Sequence, residues 1–319
     1  MEIYYTRPKD SHSLIKREDI KTEYLVPTRA CGCCGNKTFR RLMPLYEEYG
    51  ISYIKCRKCG AVTYNKVYSE KGIDEMYSDP VYYEDYEKAG TSQITFFGSE
   101  RFARHLARII PEPEPDSNDC ISVLDFGGGS GEMAYAVAKE LIRKYHYRKV
   151  DITVVDYNEK LYAGSSRRIS ITRQFPLESV KDRKFDVVIA SAIIEHLPEP
   201  GSTMRTLFDI VKNGASIYFR TPYVYPIYKK MKKFGIDYHT CYPGHIWDFD
   251  KKWWDNAPEN VGYTSGKMQL LRSRPSIVEK SLRVEFVSAL AAYAMKSVWY
   301  LSHRWKYVGG WEAVFRKIG

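Results

Sequence analysis

The sequence predicts an α/β fold: a nucleotide-binding strand–turn–helix unit with a small zinc ribbon ahead of it. Three observations carry the prediction. Ile121 to Gly131, ISVLDFGGGSG, is a short β-branched run that ends at Asp125 and breaks into glycines. Asp151 to Val155 is a second apolar run, again ending in an acid, Asp156. Cys31-Gly-Cys-Cys34 and Cys56-Arg-Lys-Cys59 are paired knuckles, each followed by glycine.

The knuckles come first in the chain. Each turns so that two thiolates face one ion, and strands between the pairs close a tetrahedron. Cys31, Cys34, Cys56 and Cys59 are therefore the expected ligands of a structural Zn2+. Four thiolates fill the coordination sphere, so the ion stabilises a small domain and does no chemistry. Thr38 to Lys55 alternates enough to be the hairpin between the pairs, and Cys33 is expected to stand by.

Ser99 to Ile110 has helical spacing at Phe102, Leu106 and Ile109, and the prolines from Pro111 to Pro115 stop it. Ile121 to Leu124 then reads as a buried strand. From Glu132 the pattern is helical, with Met133, Ala136, Val137 and Leu141 on one face. Glycine between strand and helix lets the backbone approach a ligand closely. The spacing selects among ligands. Where a dinucleotide fold wants a third glycine, this chain has Glu132, an acid that would oppose a pyrophosphate at the helix start. No Gly-Lys-Ser/Thr phosphate loop occurs. Asp156, at the tip of the next strand, can accept hydrogen bonds from ribose hydroxyls. Acid, glycine turn and second acid read as a nucleoside site without a pyrophosphate.

Val123 to Gly131, Val154-Val-Asp156, and Phe185 to Pro198 (FDVVIASAIIEHLP), in that order, resemble the class I S-adenosylmethionine-dependent methyltransferases. The resemblance implies a Rossmann-like, mostly parallel seven-stranded sheet with helices on both faces. It puts the cofactor at the strands' carboxyl ends, with Asp125, Gly127, Gly128, Gly129 and Gly131 around its methionine end. Asp156 and Tyr157 would take the ribose side, and Ser191, after the fourth strand, would line the sulfonium. A zinc ribbon, a Tyr-rich segment and then this domain is similar to enzymes that methylate sugars. In those relatives the N-terminal part leans over the cleft, which makes Tyr82, Tyr83 and Tyr86 candidates for acceptor contact. The expected division is residues 1–90 for ribbon and lid and 91–319 for the methyltransferase domain.

Glu195 and His196 follow the fourth strand, at the mouth of the expected cleft. A histidine there can take a proton from an acceptor hydroxyl near neutral pH. His245, before an aromatic run, resembles a position where relatives place a histidine over the acceptor, and His239 is a weaker candidate. Arg167 to Ile171 is the expected third strand and Ser216 to Arg220 the fifth. Between them and the C-terminus, Lys229, Lys230, Lys232 and Lys233 beside aromatic residues make either a grip for phosphate or a solvated helix face. A helix from Ser281 to Trp305 and a strand from Gly310 to Arg316 close the chain, the strand antiparallel as in relatives. Phe286, Leu290, Tyr293, Ser297 and Leu301 form one stripe of that helix, expected to pack on the sheet or a twin subunit, with a membrane surface as the alternative.

Composition sets limits. The 319 residues, with 44% apolar and 28% charged, suffice for two domains and a sizeable core. A formal charge of +10 favours anionic partners, and 27 tyrosines suit sugar or base binding. Met1 to Tyr24 lacks an export core, and no apolar run is long enough for a membrane span. The expectation is a cytoplasmic enzyme, with peripheral contact to the inner face of the membrane as the alternative placement. It would transfer methyl from S-adenosylmethionine to a nucleotide sugar or a glycan or glycolipid precursor. The alternative is an RNA methyltransferase whose ribbon binds RNA.

Overall fold

The computed structural model describes residues 20–78, 99–164, 166–236, 242–278 and 286–318. Tyr82, Tyr83, Tyr86, His239 and the expected boundary near residue 90 lie outside them.

β1 (Leu25–Pro27) pairs with β5 (Lys66–Tyr68), and β2 (Phe39–Tyr46), β3 (Ile51–Cys56) and β4 (Val62–Tyr64) form an antiparallel three-stranded sheet. β2 and β3 are the hairpin expected between the cysteine pairs. Helix α1 (Glu70–Ser78) follows, then α2 (Ser99–Ile109).

The large sheet is built from β6 (Cys120–Phe126), β7 (Lys149–Val155), β8 (Ile169–Gln174), β9 (Phe185–Ser191), β10 (Val211–Tyr223), β11 (Lys267–Pro275) and β12 (Gly309–Ile318). Its seven strands run in the order β11-β12-β10-β9-β6-β7-β8. β12 pairs antiparallel with β10 and β11, whereas β6, β7, β8, β9 and β10 pair in parallel. The order reverses between β6 and β9, which opens a crevice at their carboxyl ends, the place where doubly wound sheets hold ligands.

Alternation decides which residues face which layer. Val123 and Val187 face α2 and α3 (Glu132–Tyr145), packing with Phe102, Leu106, Val137 and Leu141. Leu124 and Val188 face the other way, toward α4 (Pro200–Ile210), with Leu207, Phe208, Phe219 and Trp254. That second cluster runs without a break into the N-terminal four-cysteine unit, the expected ribbon, where Cys31, Tyr53 and Tyr64 belong to it. The ribbon is packed onto the sheet's own core. Burying a large aromatic side chain contributes roughly 2–3 kcal/mol, so the Tyr53 and Phe219 ends of this cluster stabilise each other's neighbourhood.

The third strand begins two positions later than the sequence reading, because Ile169 and Ile171 are the residues that meet β7. Helix α5 (Tyr225–Lys233) carries the lysine run. Lys232 donates to the Pro44 carbonyl at 3.0 Å and Lys230 lies over the Tyr307 ring at 4.9 Å, so half the run is spent on the fold itself. α6 (Lys251–Asp255) starts at Asp250, whose carboxylate accepts from the Trp253 N–H at 2.8 Å. α7 (Ala257–Asn260) follows.

The terminal helix α8 (Phe286–Leu301) corrects one expectation. Leu290 and Leu301 of the expected packing stripe are 53% and 90% exposed, and the inward residues are Ala289 and Trp299. Trp299 packs edge-on against Trp311 of β12, and Lys296 donates to the Ser276 carbonyl at 2.7 Å. The larger indole and a lysine with carbonyl partners set the helix rotation, a choice that leucine spacing does not reveal. Among the described residues no helix is long and apolar enough to cross a membrane.

Candidate active site

Asp125 sits one residue from the carboxyl end of β6 and is 1% exposed. Its Oδ2 has no hydrogen-bond partner among the described residues. Burial, with the nearby Asp156 charge adding to it, raises its carboxyl to about 7. The glycine loop is folded under that carboxylate: a Cβ on Gly128 would fall 2.1 Å from Asp125 Oδ2. Gly127 has φ +71°, and a Cβ there would fall 2.5 Å from the Ile193 side chain. Asp156 ties the loop to β7, its Oδ2 accepting from the Gly129 N–H and its Oδ1 from the Asn158 N–H, each at 2.8 Å. Each carboxylate oxygen keeps a second lone pair for a ligand.

Tyr157 is 59% exposed and its ring lies 4.5 Å from Phe175, an aromatic pair beside Asp156. Arg173 fixes this corner by donating to the Asp156 and Tyr157 carbonyls, both at 3.2 Å. Burial and then the charge of Asp74 raise the Tyr157 hydroxyl. Ser191, at the end of β9, is buried with its Oγ unpartnered among the described residues. Buried orphan polar atoms cost roughly 1–3 kcal/mol each. Two of them beside a glycine cradle fit a ligand that brings its own donors.

The candidate bases converge. Glu195 and His196 lie on the one-turn 3-10 helix Ile194–His196 after β9, and His245 comes from the loop between α5 and α6. The Glu195 carbonyl accepts from both Ile246 N–H, 2.7 Å, and Trp247 N–H, 3.1 Å, which clamps the loop to the turn. The Trp247 indole N–H donates to the Leu197 carbonyl at 2.8 Å. The two imidazoles meet edge to face, centroids 4.5 Å apart and planes at 85°. Glu195 is fully buried and its Oε1 stands 3.8 Å from His196 Nε2. Burial, and then His245, hold the His196 ring well below the usual histidine range, so it is neutral at pH 7.

The ribbon forms the wall behind this turn. Gly201 N–H donates to the Gly32 carbonyl at 3.0 Å, and Val62 and Asp248 exchange backbone bonds of 3.1 and 2.9 Å. The sulfurs of Cys31, Cys34, Cys56 and Cys59 all lie within 4.8 Å of one another, two pairs at 3.6 Å. Zinc–sulfur bonds of about 2.3 Å put tetrahedral ligands about 3.8 Å apart. The donor set therefore fits Zn2+, and Cys33, though buried, is not among the four.

A family model described as a methyltransferase domain matches residues 97–267, more than half of the chain. The chain belongs to the methyltransferase-domain family. Among its relatives is an arsenite methyltransferase of Rattus norvegicus, 19% identical over 147 residues, covering 42% of this chain and 40% of that protein. A ubiquinone biosynthesis O-methyltransferase of Acinetobacter baylyi is 28% identical over 109 residues, covering 31% and 42%. The chain spans half or less of the length of these curated relatives. Of solved structures, the plantazolicin methyltransferase BpumL in complex with SAH aligns at a TM-score of 0.49 and 16% identity, over 77% of this chain and 94% of that one.

Within this methyltransferase domain the expected cofactor residues, Asp125, the glycines, Asp156, Tyr157 and Ser191, stand at or just past the carboxyl ends of the neighbouring strands β9, β6 and β7, and Glu195 and His196 follow β9 with His245 beside them. Sequence reasoning missed Ile193, which roofs Gly127; it expected Phe175 to Glu178 as the turn nearest the adenine but singled out no adenine ligand there, whereas the Phe175 ring pairs with Tyr157. Ile193 carried no signal, because a lone isoleucine after a strand reads as core. Phe175 carried one, since an exposed aromatic ring in a turn is unusual, and it is 41% exposed.

Proposed function

We propose that this chain transfers the methyl group of S-adenosylmethionine to an oxygen of a sugar-like small acceptor. The observation that carries the reading is the unpartnered Asp125 Oδ2 over a loop in which a Cβ on Gly127 or Gly128 would clash. Asp125 and Ser191 would hold the methionine end, and Asp156 with the Tyr157–Phe175 pair the ribose and adenine. The cofactor supplies an electrophilic methyl on a sulfonium. The protein aligns the acceptor oxygen with it, excludes water and removes a proton. Neutral His196, backed by Glu195 and His245, is the proton acceptor. Zn2+ in the ribbon would be structural, fixing the wall against which the Glu195 turn rests.

A sugar acceptor draws support from the tyrosines. Tyr53, Tyr64 and Tyr242 beside the His245 loop are buried core, and half-buried Tyr225, 5.0 Å from Tyr53, is the member of the cluster that stays open to an acceptor. Incubation with methyl-labelled cofactor and a panel of nucleotide sugars, glycolipid precursors and RNA tests this. Label in a sugar fraction supports it, and label in RNA alone overturns it. His196→Ala is expected to lower turnover about a hundredfold or more with cofactor affinity unchanged. Unchanged turnover removes His196 from the mechanism.

A further inference from the structure

We infer that Glu195, His196 and His245 form a second metal site, one that takes a divalent first-row transition ion at the rim of the cofactor cleft. One ligand atom from each of the three lies within 4.8 Å of the others. The 3.8 Å between Glu195 Oε1 and His196 Nε2 is too long for a hydrogen bond. It is close to the roughly 3.5 Å between two ligands on one tetrahedral ion with bonds of about 2.1 Å. The perpendicular rings matter as well. At 85° the imidazoles do not stack, and their nitrogens can converge on one point. The two segments that bring the donors are held by three hydrogen bonds of 2.7, 3.1 and 2.8 Å, so the trio is preorganised.

Two imidazoles and one carboxylate select zinc, cobalt, manganese or iron over magnesium or calcium, and three protein ligands leave positions open. His196 and His245 are both partly exposed, so a molecule from solvent can reach the open positions. The ribbon's ion is enclosed by four thiolates and cannot serve a substrate. This inference rests on the methyl-transfer reading and changes one step of it: the three residues act as ligands, and the ion takes the acceptor oxygen. An acceptor hydroxyl bound to the ion releases its proton to water. Its oxygen then forms the O–C bond as the S–C bond breaks, and the electron pair leaves on the neutral thioether.

The test uses the full chain with its ribbon zinc in place, dialysed free of loosely held ions and titrated with Co2+. One Co2+ per chain is expected, with ligand-field absorption and no sulfur-to-cobalt charge-transfer band. His245→Ala should weaken that binding by at least about tenfold, and His196→Asn provides a second variant should the first not fold. Cobalt bound only with thiolate charge-transfer absorption, or bound equally well by both variants, overturns the second site. Calorimetry with S-adenosylmethionine on the same samples separates the two readings. Cofactor binding without cobalt binding sinks the metal site alone, and absent cofactor binding sinks the methyl-transfer reading beneath it.

Discussion

Asp125→Asn is expected to make the ligand-free protein more stable at pH 8 and to abolish tight binding of S-adenosylmethionine. The folded protein holds the Asp125 carboxyl at about 7, against an unfolded value near 3.8, because burial and then Asp156 disfavour the charge. A raised folded pKa means that the folded state binds more protons. Stability from this group is complete below about pH 4, falls as pH rises through 7, and stays low above it. Three units correspond to roughly 4 kcal/mol at most. Asparagine has no charge to lose, so it relieves the penalty at pH 8 and changes little at pH 4. A gain of several degrees in unfolding midpoint at pH 8 is expected. Asp248, raised to about 6 by burial, adds a change of the same sign to both proteins and cancels in the comparison. In the proposed role the same substitution removes the charged partner of the cofactor's methionine end, a loss of roughly 1.5–3 kcal/mol and so about tenfold to a hundredfold in affinity. Equal midpoints with intact binding would show that Asp125 is neither strained nor used.

Cys56→Ser is expected to release the zinc proposed for the four-cysteine cluster and with it the proposed methyl transfer. Structural zinc contributes on the order of 10 kcal/mol to a small domain, as much as the whole stability of many proteins. The ribbon core is continuous with the sheet core, so its loss exposes Tyr53 and Ile51 and frees the Asp248 and Gly201 backbones that brace the catalytic turn. Metal analysis should find one zinc fewer per chain in Cys56→Ser and no loss in Cys33→Ser. Equal zinc contents would remove Cys56 from the site.

The sheet and its cleft were legible because buried strands leave strong local marks. Phe185 to Ser191 is buried at every position and reads as a continuous apolar run. Asp125 and Asp156 mark strand tips because an acid there interrupts such a run. The cysteines were legible from spacing alone, since chelation fixes both residue type and distance. Glu195, His196 and His245 were each expected beside the acceptor through the resemblance, but the contact between them was not legible. Their separation in sequence is closed by backbone bonds from Ile246 and Trp247, and backbone partners leave no trace in side-chain pattern. The rotation of α8 escaped for a related reason, because Trp299 and Lys296 find their partners on β12 and the Ser276 segment, remote in sequence.

A calorimetric titration of S-adenosylhomocysteine into the wild-type chain at pH 8 tests the cleft directly. Saturable binding of one molecule per chain, roughly micromolar and lost in Asp125→Ala, is the expected result. Absence of binding at millimolar ligand, or binding that ignores Asp125, would contradict the assignment of this crevice to a methyl donor.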